Sequence, residues 1–298
     1  MTTDASGVAV IVLAASGRVG RELLPILANG TCTVVAVVRD HKSDLVRPDL
    51  HWMQVDVTER DLWQRSLLAL SGIASIYQRT IVVDLVLDRR TVSTMRRSIA
   101  DATDYVRELI GAIVRRGSAP VLVAASTTAV LAPRFYQTPY GLAKRRQARI
   151  YATLPGSQIM LLPSLSQEGR GSGSDWSYRD AALTMASVVN AAAQSLDLPA
   201  TLWLPGTPPA PFTVRPLTAR LAEAAAAHLR CFVSHRNDPW AHRRAARSRL
   251  DLTPRSLRTR IDHHLVPRRL ATAFAHGAGL PVERLAALAD LHEGFCAP

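Results

Sequence analysis

Tyr140 and Lys144 stand four residues apart in the stretch TPYGLAKRRQ, and Lys144 is one of only two lysines in a chain whose other fixed positive charges are arginines. On a helix, positions i and i+4 share a face one turn apart, so the phenol and the ammonium look into the same space. A free phenol titrates at about 10, and a neighbouring ammonium stabilises the phenolate, which brings a tyrosine toward acid–base work near neutral pH. The ammonium is also a compact donor able to hold a ribose hydroxyl. With six tyrosines in 298 residues, chance alone would produce this spacing in roughly 4% of such chains. The plainer alternative is a half-buried tyrosine beside a solvated lysine.

Two hydroxyls lie upstream. The run VLVAAS ends at Ser126, and Thr127 follows, fourteen and thirteen residues before Tyr140. If the run is a strand of a parallel sheet, both sit at its carboxyl end, where such sheets place ligands. Either hydroxyl can bond a carbonyl oxygen, and either can equally be a turn residue.

A third group opens the chain. In VIVLAASGRVGRELL, Gly17 and Gly20 follow an apolar run and start an amphipathic one. Glycines there let a backbone approach a pyrophosphate, whose charge the free N–H groups of a helix start favour. The full pattern is GxxGxxG, and Ala14 holds its first position. Arg18, inside the turn, is placed to assist. The second apolar run ends in VVAVVRD, about twenty residues after Gly17, where an acid would recognise a ribose and an arginine a 2′-phosphate. Arg39 points to NADP rather than NAD. Asp56 ends a third run where an adenine would lie, or caps the segment after it.

These residues need elements to hold them. Short β-branched runs alternate with longer amphipathic stretches, the pattern of β-α repeats and a parallel sheet. Strands are expected over 8–13, 33–38, 51–55, 81–86, 121–125 and 158–162, with helices over 18–28, 61–70, 91–116 and 140–153. Pro25 interrupts the first helix. SQEGRGSGSDW reads as a loop at the carboxyl edge, followed by a helix over 179–194 and the strand TLWLP. GTPPAPFTVRP is a linker, giving a sheet domain over 1–206 and a basic helical region over 207–298.

Taken together, the sequence resembles the short-chain dehydrogenase/reductase superfamily, in its extended and atypical (NmrA-like) branches. The resemblance covers about two thirds of the chain and rests on AASGRVG, Arg39, Asp56, AAST, YGLAK, LLPSL and YRDAA, the last resembling a later signature of that family. It implies a Rossmann-type, doubly wound α/β fold with a helical C-terminal substrate lid. It further implies a nicotinamide cofactor, Tyr140 as proton donor or acceptor, Lys144 on the nicotinamide ribose, and Ser126 or Thr127 orienting the substrate oxygen. The cofactor contacts it carries over are Ala14, Ser16, Gly17, Arg18, Val19 and Gly20 in the turn, with Arg39, Asp56, Val57, Lys144 and Pro163 elsewhere. Besides Ala14, the chain departs from the family in the helix over 91–116, which has no asparagine where many relatives use one to support a proton relay.

The expectation is an NADP-dependent oxidoreductase acting on a carbonyl, alcohol or imine-like centre, with NADPH preferred over NADH. A redox-neutral epimerase or dehydratase of the same fold remains open. So does an NADP-sensing regulator with a DNA-binding tail.

Bulk properties narrow the rest. The content is 48% hydrophobic and 20% charged, that of a folded globular chain. No apolar run is long enough to span a bilayer, and no basic stretch precedes the first, so a cytoplasmic protein with no membrane partner is expected. Cys32, Cys231 and Cys296 form no paired motif, and His263 and His264 lack partners at ligand spacing, so neither disulfides nor a metal site is expected. Of the net charge of +12, most lies between Arg215 and Arg269, with thirteen arginines against four acids. A lid so charged would favour an anionic small-molecule or carrier-bound substrate. RLDLTPRSLRTRIDHHLVPRRLATA also resembles the helix-turn-helix of AraC-type regulators, so nucleic acid stays as the less favoured partner. The oligomeric state is left open, with a homodimer among the alternatives.

Overall fold

The computed structural model describes residues 7–40, 50–87, 91–127, 130, 139–162, 165–166, 176–195, 201–203 and 285–287. Strand β1 (Val8–Leu13) leads into α1 (Arg18–Ala28), and β2 (Thr33–Val38) and β3 (His51–Gln54) follow. A short 3-10 turn (Arg60–Leu62) then opens α2 (Trp63–Ala74). Next come β4 (Arg79–Asp84), α3 (Val92–Arg115), β5 (Ala119–Thr127), α4 (Pro139–Tyr151) and β6 (Ser157–Leu162). The two-residue strands β7 (Leu165–Ser166) and β8 (Trp176–Ser177) pair with each other ahead of α5 (Tyr178–Ala193). Two short strands, β9 (Thr201–Trp203) and β10 (Leu285–Ala287), complete the set.

The main sheet runs β10-β9-β6-β5-β4-β1-β2-β3, and every pairing in it is parallel. Because β1 pairs with both β2 and β4, the order reverses at β1. That reversal parts the connections at the carboxyl edge and opens a crevice there, the ligand position of doubly wound sheets.

Both faces of the sheet are covered, so its central strands read as unbroken apolar runs rather than alternating ones. Alternate residues still divide between two cores. Ile11 and Leu13 of β1 face one with Trp63, Tyr105 and Tyr151, while Val10 and Val12 face the other with Leu23, Leu27 and Val189. Capping boxes start two helices. Thr91 accepts from the Thr94 amide ahead of α3, and Ser177 accepts from the Asp180 amide ahead of α5. This gives Asp180, in the YRDAA stretch, a local structural role.

The expected β1, α1 and β2 match the structure in their bounds, and Pro25 lies inside α1 without ending it. Strand β4 starts earlier than its apolar run, because Arg79 and Thr80 pair with Ala119 and Pro120 of β5. One expectation is corrected. Within the region read as helical, Leu285–Ala287 are a strand that pairs with Thr201–Trp203. Three strong helix formers are recruited by an open sheet edge, a tertiary effect that local pattern does not carry. The boundary at 206/207, the basic arginine cluster and His263 and His264 lie outside the described residues.

Candidate functional site

The turn after β1 is built by backbone. Gly17 donates its N–H to Ala14 O at 2.9 Å, and Ala15 donates to Val37 O at 3.0 Å, tying the turn to β2. Ala14 sits at φ +57°, the left-handed region that glycine occupies freely and an L side chain occupies under strain. So the first position of the glycine pattern holds a conformation that suits glycine, although Ala14 carries a Cβ. Gly17 caps α1 with no side-chain hydrogen bond, so the amides of Arg18, Val19 and Gly20 have no intrahelical partner. Gly20 is required by packing: a Cβ there would lie 2.3 Å from Ala15 O. Ser16 is half-buried in the turn. Arg18 turns to α5, donating to Tyr178 OH at 2.8 Å with its guanidinium 5.5 Å from that ring.

Arg39 and Asp56 line a cleft of ≈ 570 Å³, with Asp40 and Arg65 among the other lining residues. Arg39 Nε is 3.2 Å from Asp40 Oδ2, and both side chains are exposed. Asp56 is not a helix cap. Its Oδ1 accepts from Thr58 N at 2.8 Å and Thr58 Oγ1 at 2.7 Å, while Glu59 caps the 3-10 turn. Val57 is buried in the core, and its carbonyl takes the Trp63 indole N–H at 3.1 Å. Arg65 was missed from sequence, since one exposed arginine on α2 among 36 basic residues carries no signal of its own.

At the other end of the crevice, α4 carries Tyr140 and Lys144 one turn apart, with Tyr140 half-buried and Lys144 only 4% exposed. Lys144 Nζ donates to Ala125 O at 3.1 Å, which binds this face of α4 to the end of β5. Ser126, next along β5, is 8% exposed, and its hydroxyl has no hydrogen-bond partner among the described residues. Thr127 beside it is buried. A buried hydroxyl without a partner is costly unless a ligand or water completes it.

Burial pushes the Lys144 ammonium below its ordinary range, and the Asp84 charge partly restores it. Asp84, Gln147 and Tyr151 join Lys144 in a buried polar cluster that sequence reading did not single out. Lys144, Gln147 and Tyr151 recur at helical spacing along one face of α4, and that was the available signal. Asp84 gave none, because it ends β4, some sixty residues away. Pro163 and the glycine-rich loop 167–175 lie outside the described residues.

The cradle fits a dinucleotide on three observations: uncapped amides at a helix start, glycines where a Cβ would meet backbone, and an orphaned hydroxyl at the far end. Among the described residues, no cluster of His, Cys, Asp or Glu could hold a metal ion, and no helix is long and apolar enough to cross a membrane.

No protein-family model matches the sequence, and no curated protein matches it. Solved structures do. Serine dehydrogenase from Escherichia coli aligns with a TM-score of 0.50 at 17% identity, over 65% of this chain and 96% of that one. UDP-glucose 4-epimerase of Thermus thermophilus, in complex with NAD, aligns with a TM-score of 0.50 at 15% identity, over 73% of this chain and 83% of that one. At these identities the likeness establishes the fold alone: the chain shares the Rossmann-type α/β architecture of these two proteins.

Proposed function

We propose that this chain is an NADP-dependent oxidoreductase of the short-chain dehydrogenase/reductase kind, with Tyr140 as its acid–base group. The observation that carries the reading is the convergence of Lys144 on the end of β5, beside a buried Ser126 hydroxyl with no partner among the described residues. A nicotinamide cofactor, when bound, supplies or accepts the hydride.

The chain's own residues then have separate tasks. The amides of Arg18, Val19 and Gly20 would hold the pyrophosphate of the cofactor. At the adenosine end, the Arg39 and Arg65 guanidinium groups share the cleft and suit a 2′-phosphate. Arg39 would hold that phosphate by a charge-assisted bond, against which its exposed ion pair with Asp40 is a weak competitor. Ser126 donates to the substrate oxygen and orients it, with Thr127 as its neighbour.

Tyr140 delivers its phenolic proton to that oxygen as the carbonyl becomes an alcohol, and takes it back in the reverse direction. Lys144 favours the phenolate by its charge. An ammonium has three donors, and two of them are used among the described residues, on Ala125 O and Gln147 Oε1, so the third would serve a ribose hydroxyl. A small carbonyl or imine-like compound, free or carried, is the proposed substrate class.

Tyr140→Phe is the test. A panel of aldehydes, ketones and cyclic imines is screened with NADPH, following loss of the reduced nicotinamide absorbance. The variant is expected to lose turnover by about 100-fold or more while keeping its NADPH affinity. Turnover equal to that of the unmodified protein would remove Tyr140 from the chemistry.

A further inference from the structure

Behind the site, four buried side chains from β4 and α4 form one polar chain. Lys144 Nζ donates to Gln147 Oε1 at 2.7 Å, and Gln147 Nε2 lies 3.2 Å from Asp84 Oδ2 and 3.2 Å from the Tyr151 hydroxyl. Tyr151 donates to Asp84 Oδ2 at 2.6 Å, while Asp84 Oδ1 accepts the Val86 N–H at 3.0 Å. Exposures are 4% for Lys144, 3% for Gln147 and 1% each for Tyr151 and Asp84.

The polarity of this chain runs one way. Asp84 accepts in every contact, the pattern of an ionised carboxylate. The Gln147 amide presents its oxygen to the ammonium and its nitrogen to the carboxylate, so its dipole lies aligned between the two charges. Burial and the Asp84 charge hold Tyr151 well above the ordinary phenol range, so it remains a donor. The register explains the placement. Asp84 is the last residue of β4, level with Leu13 of β1 and Ala124 of β5, one position before the Ala125 carbonyl that also holds Lys144.

We propose that Asp84, acting through Gln147 and Tyr151, is the buried counter-charge that keeps Lys144 an ammonium and fixes it at the end of β5. Asp84 and Gln147 are thus positioning residues for the acid–base pair, a role that rests on the reading above in which Lys144 works charged. A buried ammonium and a buried carboxylate both lose hydration, and apolar residues of the same volume would stabilise the fold at least as well. Their presence is therefore accounted for by the charge that Lys144 has to carry rather than by stability. The groups facing Lys144 from its surroundings are consistent with this. Asp84 of β4 acts on it by charge. α4 itself sets Gln147 against it and carries Tyr140 one turn away, and β5 contributes the Ala125 carbonyl. α3 presents the Ala102 carbonyl and the Thr103 hydroxyl to Tyr151. Among the described residues, Asp84 is the one anion joined to this cluster.

Two lysines in the whole chain make the test direct. Protein carrying isotope-labelled lysine and the Lys42→Arg substitution shows a single side-chain lysine signal, and its shift against pH gives the Lys144 midpoint without cofactor or substrate. Asp84→Asn is expected to lower that midpoint by about one pH unit or more. An unmoved midpoint in a folded Asp84→Asn protein overturns the proposal. Should that variant fail to fold, Asp84→Ser removes the same charge with a smaller polar side chain and decides in the same way: a lowered midpoint supports the proposal, an unmoved one overturns it. The two readings fail separately. A midpoint that responds to Asp84 together with full turnover in Tyr140→Phe keeps the counter-charge and discards the chemistry; the converse pair of results does the opposite.

Discussion

Ala14→Gly should make the protein more stable, although glycine substitutions ordinarily do the reverse. Ala14 occupies the left-handed region at φ +57°, which costs an L residue about 1–2 kcal/mol relative to its preferred region. Glycine removes that strain but enlarges the freedom of the unfolded chain, a loss of about 0.4–1 kcal/mol. The turn bond from Gly17 N–H to Ala14 O, 2.9 Å long, uses only backbone and survives the change. The net gain is about 0.5–1 kcal/mol, or a rise in Tm of roughly 1–4 °C for a sheet domain of this size. Urea unfolding of the two proteins should show a higher midpoint at unchanged slope. Ala14→Val is the control, since a β-branched side chain tolerates this region worst and should lose more than about 1 kcal/mol. If Ala14→Gly instead destabilises by about 0.5 kcal/mol or more, the behaviour of an unstrained site, then the turn does not have the left-handed geometry on which the cofactor cradle rests.

Gly20→Ala places its Cβ 2.3 Å from Ala15 O and 2.9 Å from Ala15 Cα, which are backbone atoms that cannot rotate away. A loss of about 2–3 kcal/mol by urea unfolding is expected, with weaker NADPH binding as α1 moves off the turn. Tyr105 is fully buried, and burial pushes its phenol up to about 12. Between about pH 10 and that value the unfolded tyrosine ionises while the folded one does not, so Tyr105 contributes stability below pH 10 that is lost as pH rises toward 12, up to about 2–3 kcal/mol. Tyr105→Phe should flatten this alkaline decline relative to the unmodified protein, while giving up the 3.0 Å hydrogen bond to Ser66; identical slopes in the two proteins would refute it.

The first β-α-β unit was legible to the residue, because VAVIVL and TVVAVV are apolar runs bounded by turn residues and α1 has a strong apolar face. That Tyr140 and Lys144 share one helix was legible for a similarly local reason, their fixed spacing. What the spacing could not show is how Lys144 is held. Asp84 reaches that cluster through the parallel register of β4 with β5, a relation between distant segments that no window along the chain contains. Ala14 was visible as a departure from the glycine pattern, while its retention of the left-handed turn needed backbone angles. Leu285–Ala287 were misread because their extended form comes from pairing with β9.

Titration of the purified protein with NADPH, and separately with NADH, following nicotinamide fluorescence, tests the proposed cofactor chemistry most directly. Saturable binding of NADPH at least about ten-fold tighter than NADH, with the preference lost in Arg39→Ala, is the expected result. Absence of saturable binding by either nucleotide would contradict it, and the glycine turn would then be a strand-to-helix connection with no cofactor to hold.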